Sequence, residues 1–208
     1  MKILITGFEP FGGQQINPSW EAVNKLPTAI GSHQIVKAKM PVTFSGSRQK
    51  IVELIDEHKP DVLLMVGQKG GSYDINCERI AVNLADSKKA DNEGFLPSDL
   101  PVCNGAPAAY FATIPLKQVV AALQSEGIPA TISNSAGLYV CNCMYFSALH
   151  HCAECNMNTR VGFIHVPYLP QQVVEGKKPS MALDVVSRAL HVVVATLIGN
   201  ACQPSELV

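Results

Sequence analysis

The segment from 139 to 155, YVCNCMYFSALHHCAEC, holds four of the seven cysteines of the chain beside two adjacent histidines. Such side chains can ligate Zn²⁺, and a cysteine with a nearby base can act as a nucleophile. The whole run is predicted to be one helix, on which successive residues turn by about 100°. Cys141 and Cys143 would then point apart, and Cys152 with Cys155 would make only half a metal site. We therefore expect no zinc site here.

Cys141 is the cysteine best placed to act as a nucleophile. PATISNS (129–135) is predicted to be a strand and SAGLY a turn, so that Cys141 falls at the start of the helix. A helix N-terminus has free N–H groups and a partial positive charge, which lower the pKa of a thiol and can stabilise an oxyanion. The alternative for any single cysteine is inert packing in the core.

A thiol nucleophile needs a base, and His165 is the best-placed histidine. It lies near the carboxyl end of a strand predicted at 160–166, which Pro167 would end. The other histidines are predicted to lie on the surface, too far along the helix of Cys141, or inside the last helix. A structural role for His165 is an equal alternative, because a lone histidine on an apolar strand is often a core residue.

Glu78 is a candidate for the acceptor that orients the base. It follows a glycine-rich loop and begins a strand whose apolar part is predicted at 79–85. A surface carboxylate paired with a lysine or arginine is the more ordinary interpretation. The loop GFEPFGG is a further candidate, since it lacks the spacings of nucleotide-binding loops but holds two aromatic rings. These could enclose a small flat ligand or simply anchor the loop in the core.

The elements that must position these residues alternate between strands and helices. Strands are predicted at 2–8, 33–42, 61–67, 79–85, 129–135 and 160–166, and helices at 19–26 (capped by Ser19), 48–58, 116–127, from 140 and at 181–198. This alternation predicts one α/β domain over residues 1–208, with a three-layer α/β/α arrangement and a mostly parallel, mixed twisted sheet. Ligands bind such sheets beyond the carboxyl ends of the strands.

Composition excludes several classes of protein. The net charge is −1 with 16% charged residues and no basic run, so we expect neither a nucleic-acid nor a membrane partner. No apolar run is long enough to span a bilayer, and the N-terminus is predicted to be a strand and not a signal peptide. Seven scattered cysteines in a chain of this size are typical of reduced thiols, which favours a cytoplasmic location. The irregular stretch 86–107 is typical of a functional loop or a contact between subunits.

Several groups of residues bear a joint resemblance to one family. GFEPFGG with NPSWEAV, VGQKGG with ERIAVN, DNEG, SAGLYVCN and FIHVPYLPQQ occur in this order along essentially the whole chain. Together they resemble the type I pyroglutamyl peptidases (pyrrolidone-carboxylate peptidases), a family of cysteine peptidases. The resemblance implies an exopeptidase that removes an N-terminal pyroglutamyl residue from peptides through an acyl-enzyme, without a metal or an organic cofactor. It also implies a homo-oligomer, often a tetramer.

The resemblance also implies roles for particular residues. The positions that match the family's catalytic residues are Glu78, Cys141 and His165. Those that match its lactam pocket are Phe8, Phe11, Asn17, Gln68 and Tyr139. Ser72, Lys88 and Cys143 depart from the residues common in the family, which leaves loop contacts and catalytic efficiency open. Three alternatives remain at this point: a nucleoside-phosphorylase-like enzyme, a zinc or redox module without catalysis, and a family member that has lost activity.

Overall fold

The computed structural model describes residues 1–199, and positions 200–208 of the predicted domain lie outside the described residues. In chain order the strands are β1 (Lys2–Phe8), β2 (Ala29–Ile30), β3 (His33–Met40), β4 (Val62–Gln68), β5 (Ile75–Glu78), β6 (Ile80–Val82), β7 (Ala109–Phe111), β8 (Ala130–Ser133) and β9 (Arg160–Val166). The helices are α1 (Pro18–Lys25), α2 (Phe44–His58), α3 (Leu116–Ser125), α4 (Val140–Glu154) and α5 (Leu183–Gly199), with a 3₁₀ helix at Pro170–Gln172.

Seven strands form the main sheet in the order β2-β3-β1-β4-β9-β5-β8. Neighbours are parallel except at β2–β3 and β9–β5, which are antiparallel. β6 and β7 form a separate antiparallel ribbon. The mostly parallel, mixed sheet predicted from the sequence is confirmed.

Helices cover both faces of this sheet and bury its central strands on both sides. α1, α3 and α5 pack on one face, whereas α2 and α4 pack on the other. On β4, Val62, Leu64 and Val66 face the first group, and Leu63 and Met65 face the second. Successive side chains of a strand point to opposite faces, so a doubly covered strand requires an unbroken apolar run. The three-layer arrangement is therefore confirmed as well.

The strand predicted at 79–85 is wrong in its placement. The main sheet contains β5 instead, and the chain leaves this sheet at Arg79 to form β6. The Arg79 N–H still donates to the Ser133 carbonyl beside β8, but the Arg79 carbonyl accepts from Ala112, next to β7. The backbone thus changes partners at this residue, and Glu78 ends a sheet strand.

The predicted cap of α1 is also wrong. Asn17 is the N-cap, and its Oδ1 accepts from the Ser19 N–H at 3.1 Å. The Ser19 hydroxyl accepts instead from the Phe8 N–H at 2.9 Å, which ties α1 to the end of β1. The other predicted helices and strands lie close to their observed positions, and α4 begins at Val140 as expected, whereas β2 and β7 were not predicted.

One long irregular stretch lies outside this framework. The stretch 86–107 contains no helix or strand, and an isolated β-bridge joins Leu100 within it to Ala85 just before it.

None of the helices within residues 1–199 is long and apolar enough to cross a lipid bilayer.

Candidate active site

Three parallel strands end side by side and bring predicted residues to one edge of the sheet. β1 ends at Phe8, β4 at Gln68 and β9 one residue after His165. Gly67 pairs with His165 in the β4–β9 register. The start of α4 adds Cys141 to the same edge, which is where open α/β sheets bind ligands.

A cavity of about 190 Å³ opens at this edge. The predicted residues in its wall are Phe8, Phe11, Asn17, Gln68, Tyr139, Cys141 and His165. The cavity is smaller than the roughly 300–1,000 Å³ of sites for drug-sized ligands, so it suits one small group of a ligand. Glu78 is absent from this wall and is connected to it through His165.

Glu78 and His165 form a buried pair. The Nδ1 of His165 lies 2.7 Å from Oε1 of Glu78, and the two residues are 4% and 0% exposed. The interpretation of Glu78 as a surface carboxylate is therefore wrong. When Nδ1–H donates to the carboxylate, Nε2 remains as a proton acceptor. Both residues lie on adjacent strands, since β5 runs antiparallel to β9.

Cys141 lies in the first turn of α4, against a glycine of β4. A Cβ on Gly67 would lie 3.0 Å from the Cys141 Sγ and 2.8 Å from the Phe163 ring. Only glycine, which has no Cβ, leaves room at position 67 of β4 for the Cys141 thiol. β4 is the neighbour of β9, the strand that carries His165. Among the described residues, no side chain caps the start of α4 at Tyr139, so its first N–H groups remain available to an oxyanion.

The surroundings of the Cys141 thiol favour its neutral form. Burial raises its pKa to about 12, and the charges of Glu78 and Cys143 act in the same direction. This is opposite to the lowered pKa expected from the helix N-terminus, because the effect of burial exceeds that of the backbone hydrogen bond of Cys141, which lowers the pKa. The thiol is therefore protonated at neutral pH and needs a base to become a nucleophile.

Aromatic rings form one side of the cavity. Tyr139 lies 6.2 Å from Phe11 and 5.2 Å from Phe44, measured between ring centroids. Its hydroxyl donates to the Ala90 carbonyl at 3.0 Å, which connects the cavity to the stretch 86–107. Phe8 is only 2% exposed and packs in the core, so it is both an anchor and part of the wall.

Asn17 and Gln68 have side chains that are already hydrogen-bonded. Asn17 donates to the Glu9 carbonyl at 2.8 Å in addition to capping α1, so it fixes the shape of the loop after β1. The Gln68 Oε1 accepts from Gln172 at 2.9 Å. The main chain of Gln68 remains the part that can face a ligand.

Comparison with known proteins identifies the family of this chain. A family model described as pyroglutamyl peptidase matches residues 1–200. The chain belongs to the pyroglutamyl peptidase family. It is similar to the pyrrolidone-carboxylate peptidase of Thermococcus onnurineus, with 50% identity over 94% of this chain and 98% of that protein. The Thermococcus kodakarensis pyrrolidone-carboxylate peptidase is 51% identical over 93% of this chain and 94% of its own length.

Solved structures of pyroglutamyl peptidases have the same fold. Pyroglutamyl peptidase I of Bacillus amyloliquefaciens superposes with a TM-score of 0.92 at 40% identity, over 95% of this chain and 97% of that chain. The E192V mutant of the Pyrococcus furiosus pyrrolidone carboxyl peptidase gives 0.94 at 40% identity, over 97% and 100%. The chain is thus a hydrolase of the cysteine peptidase class, of pyroglutamyl peptidase type I.

Three polar residues of this peptidase were missed by sequence reasoning. Lys69 lines the cavity, Gln172 bonds to Gln68, and the buried Asn142 bonds to the backbone of β6 and the residues after it. Lys69 and Gln172 follow the carboxyl ends of β4 and β9, where sheets of this kind bind ligands, and this position is the only signal that could have found them. Asn142 follows Cys141 directly, and nothing in its spacing distinguishes it.

Within residues 1–199, the other cysteines and histidines lie away from the cavity wall. Cys143 is 1% exposed and packs in the core, as expected from its direction on α4. His150 bonds to Tyr110, and His151 bonds to Asp56. Within residues 1–199, no group of three or more His, Cys, Asp or Glu side chains is arranged to hold a metal ion. Two further residues differ from those common in the family: the Ser72 hydroxyl donates to Asp74, and Lys88 is exposed.

Proposed function

We propose that this chain removes the N-terminal pyroglutamyl residue from peptides, with Cys141 as nucleophile, His165 as base and Glu78 as the residue that orients the base. The main support is the arrangement of two residues in one cavity wall, Cys141 and His165, with a 2.7 Å hydrogen bond from the imidazole to a fully buried carboxylate. Nucleophile, base and orienting acceptor in this order form the general design of thiol and serine hydrolases.

The mechanism begins from a protonated Cys141 thiol and from His165 as the group that accepts its proton. His165 takes the proton of the neutral Cys141 as the sulfur attacks the carbonyl that joins pyroglutamate to the next residue. The free N–H groups at the start of α4 stabilise the oxyanion, by about 3 kcal/mol per donor. The imidazolium, stabilised by Glu78, then gives its proton to the leaving amine. Water activated by His165 hydrolyses the acyl-enzyme and restores the thiol.

The cavity suits a neutral five-membered lactam. The rings of Phe8, Phe11 and Tyr139 can enclose a flat ring, and main-chain groups near Gln68 can bond to its N–H and C=O. An N-terminal glutamate would bury an ammonium without a partner, and proline would leave the main-chain groups unpaired. A missing hydrogen bond of this kind can reduce kcat/KM by a factor of about 10⁴.

The test is release of aminocoumarin from pyroglutamyl, prolyl and glutamyl amides, in reductant and EDTA. We expect hydrolysis of the pyroglutamyl amide alone. Cys141→Ala should reduce the rate to the background, whereas Cys143→Ala, which removes a core thiol two residues away, should leave kcat/KM within a few-fold of the wild type. Retained activity in Cys141→Ala, or no activity in the folded wild type, would refute the proposed function.

We further propose that the enzyme acts on peptides in the cytoplasm as a homotetramer. A reducing compartment keeps thiols free, and the structure has six free cysteines within residues 1–199: Cys77, Cys103, Cys141, Cys143, Cys152 and Cys155. Phe95, Leu96 and Leu100 are exposed on the stretch 86–107 and favour contact with another copy. Native mass spectrometry gives the number of subunits directly.

A further inference from the structure

Lys69 places a positive charge beside the buried carboxylate of the site. Its Nζ lies 3.6 Å from Oε1 of Glu78, the same oxygen that bonds to His165. Its side chain is 39% exposed, whereas that of Glu78 is fully buried. Lys69 also lines the cavity with Cys141 and His165, so it touches the site from the solvent side.

This contact matters because an ionised carboxylate is costly to bury. Oε2 of Glu78 has no hydrogen-bond partner among the described residues, so the charge is only partly compensated by polar contacts. His165 in its neutral form offers a hydrogen bond but no charge. Lys69 therefore supplies the positive charge that Glu78 needs while the imidazole is neutral.

The other titratable groups around Glu78 do not offer this charge. Burial raises the pKa of Cys77 and of Cys141 to about 12, and it raises the pKa of Tyr145 further. These groups from β5 and α4 are therefore neutral at pH 7. On the strand itself, the next residue, Arg79, is exposed. In residues 1–199, the ion pairs of Glu78 are those with Lys69 and His165.

A polar network fixes the position of Lys69. Its Nζ donates to the Asn76 Oδ1 at 2.5 Å, and Asn76 Nδ2 donates to the Asp74 carboxylate at 2.8 Å. Burial alone would raise the pKa of Asp74, but hydrogen bonds from Thr131, Ser72 and Asn76 outweigh it and leave the pKa lowered. Asp74 is thus a second negative group that favours a cation here.

We propose that Lys69 is a positioning residue that keeps Glu78 ionised and His165 neutral, so that the imidazole is free to accept the proton of Cys141. This inference rests on the proposed function. Without the charge of Lys69, the Glu78–His165 pair binds an additional proton more readily. The base is then occupied at mildly acidic pH, and higher pH restores it.

The experiment compares Lys69→Met and Lys69→Gln, which remove the charge, with Lys69→Arg, which keeps it. We measure kcat and KM for the pyroglutamyl amide from pH 5.5 to 9. The acidic limb of the kcat profile should move upward by about one pH unit in the two neutral variants, so the loss in kcat should approach about tenfold on the acidic side of that limb. KM should change little, the loss should disappear by pH 9, and Lys69→Arg should follow the wild type.

The rate of Cys141 alkylation by iodoacetamide, followed by mass spectrometry, gives a second readout that needs no turnover. The pH dependence of this alkylation rate should move to higher pH in the neutral variants, as that of kcat does. Lys117→Met, on an exposed lysine of α3, is the matched control and should leave both profiles unchanged. Neutral variants with the wild-type profile, or with a loss equal at every pH, would overturn the inference while leaving the proposed function intact. An inactive wild type would instead contradict the proposed function.

Discussion

At the scale of single residues, the proposed chemistry begins from a thiol that is neutral. Burial raises the pKa of Cys141 to about 12, so almost none of the thiolate exists at neutral pH. A thiolate of high basicity is intrinsically a strong nucleophile, which offsets its scarcity if a base removes the proton during attack. The proposed mechanism therefore depends on His165 as the base, and on the residues that orient it.

Glu78→Gln tests the orientation of His165. Glutamine has nearly the same shape but no charge, and its amide N–H would favour the imidazole tautomer with the proton on Nε2. We expect kcat to fall by about 10³–10⁴-fold with little change in KM. Steady-state kinetics with the pyroglutamyl amide measure this, and a melting curve shows that the variant is folded.

Glu126→Gln, on an exposed glutamate after α3, is the control for this substitution and should keep wild-type kcat. If Glu78→Gln retained kcat within a few-fold, the carboxylate would have no part in orienting the base. A large rise in KM alone would instead place Glu78 in substrate binding.

At the scale of elements, the position of the nucleophile depends on how α4 is attached to the rest of the fold. Asn142, the residue after Cys141, is fully buried in the first turn of α4. Its Oδ1 accepts from the Val82 N–H, and its Nδ2 donates to the carbonyls of Val82 and Leu84, at 2.9 to 3.0 Å. One amide thus fixes the start of α4 to the ribbon strand β6.

Asn142→Ala should lower the free energy of unfolding by about 2–4 kcal/mol, because it removes a fully buried amide and leaves the partly buried backbone groups of Val82 and Leu84 without this partner. Urea denaturation followed by circular dichroism measures the change. Asn24→Ala, on an exposed position of α1, should alter the stability by less than about 0.5 kcal/mol. A loss below about 1 kcal/mol in Asn142→Ala would mean that water replaces the amide and that the attachment is weak.

The sequence predicts those elements whose pattern is local. The apolar run of β4 and the start of α4 at Val140 follow from periodicity and from the preceding turn. The change of partners at Arg79 does not, because it depends on hydrogen bonds to Ser133 and Ala112, which are far along the chain. Lys69 was missed for the same reason, since its contact with Glu78 joins residues of two separate segments.

At the scale of the whole molecule, the two apolar cores that enclose the sheet also contain thiols. Cys77 lies in one core and Cys143 in the other, at 0% and 1% exposure. Burial raises the pKa of each from 9.0 to about 12. The fold therefore holds both thiols neutral at a pH at which the unfolded chain ionises them.

This difference predicts a loss of stability at alkaline pH. A group whose pKa is raised by folding contributes its full stability below the unfolded pKa, here about 9, and loses it as pH rises toward 12. At pH 10 each thiol should lower the free energy of unfolding by about 1 kcal/mol relative to pH 8. Urea denaturation at a series of pH values measures the total change, to which Cys141, Cys152 and Tyr145 also contribute because burial raises their pKa values.

The contribution of one thiol is isolated by comparison with Cys143→Ala, which has no group to ionise at that position. The variant is less stable than the wild type at pH 8 because it has a cavity in the core. At pH 10 the unfolded wild type ionises Cys143, which lowers the free energy of unfolding of the wild type but not of the variant. The difference in free energy of unfolding between the two proteins should therefore shrink by about 1 kcal/mol at pH 10. Val119→Ala removes a buried side chain that cannot titrate, so its difference from the wild type should stay constant. A constant difference for Cys143→Ala as well would mean that the thiol ionises equally in the folded protein, and that water reaches this core.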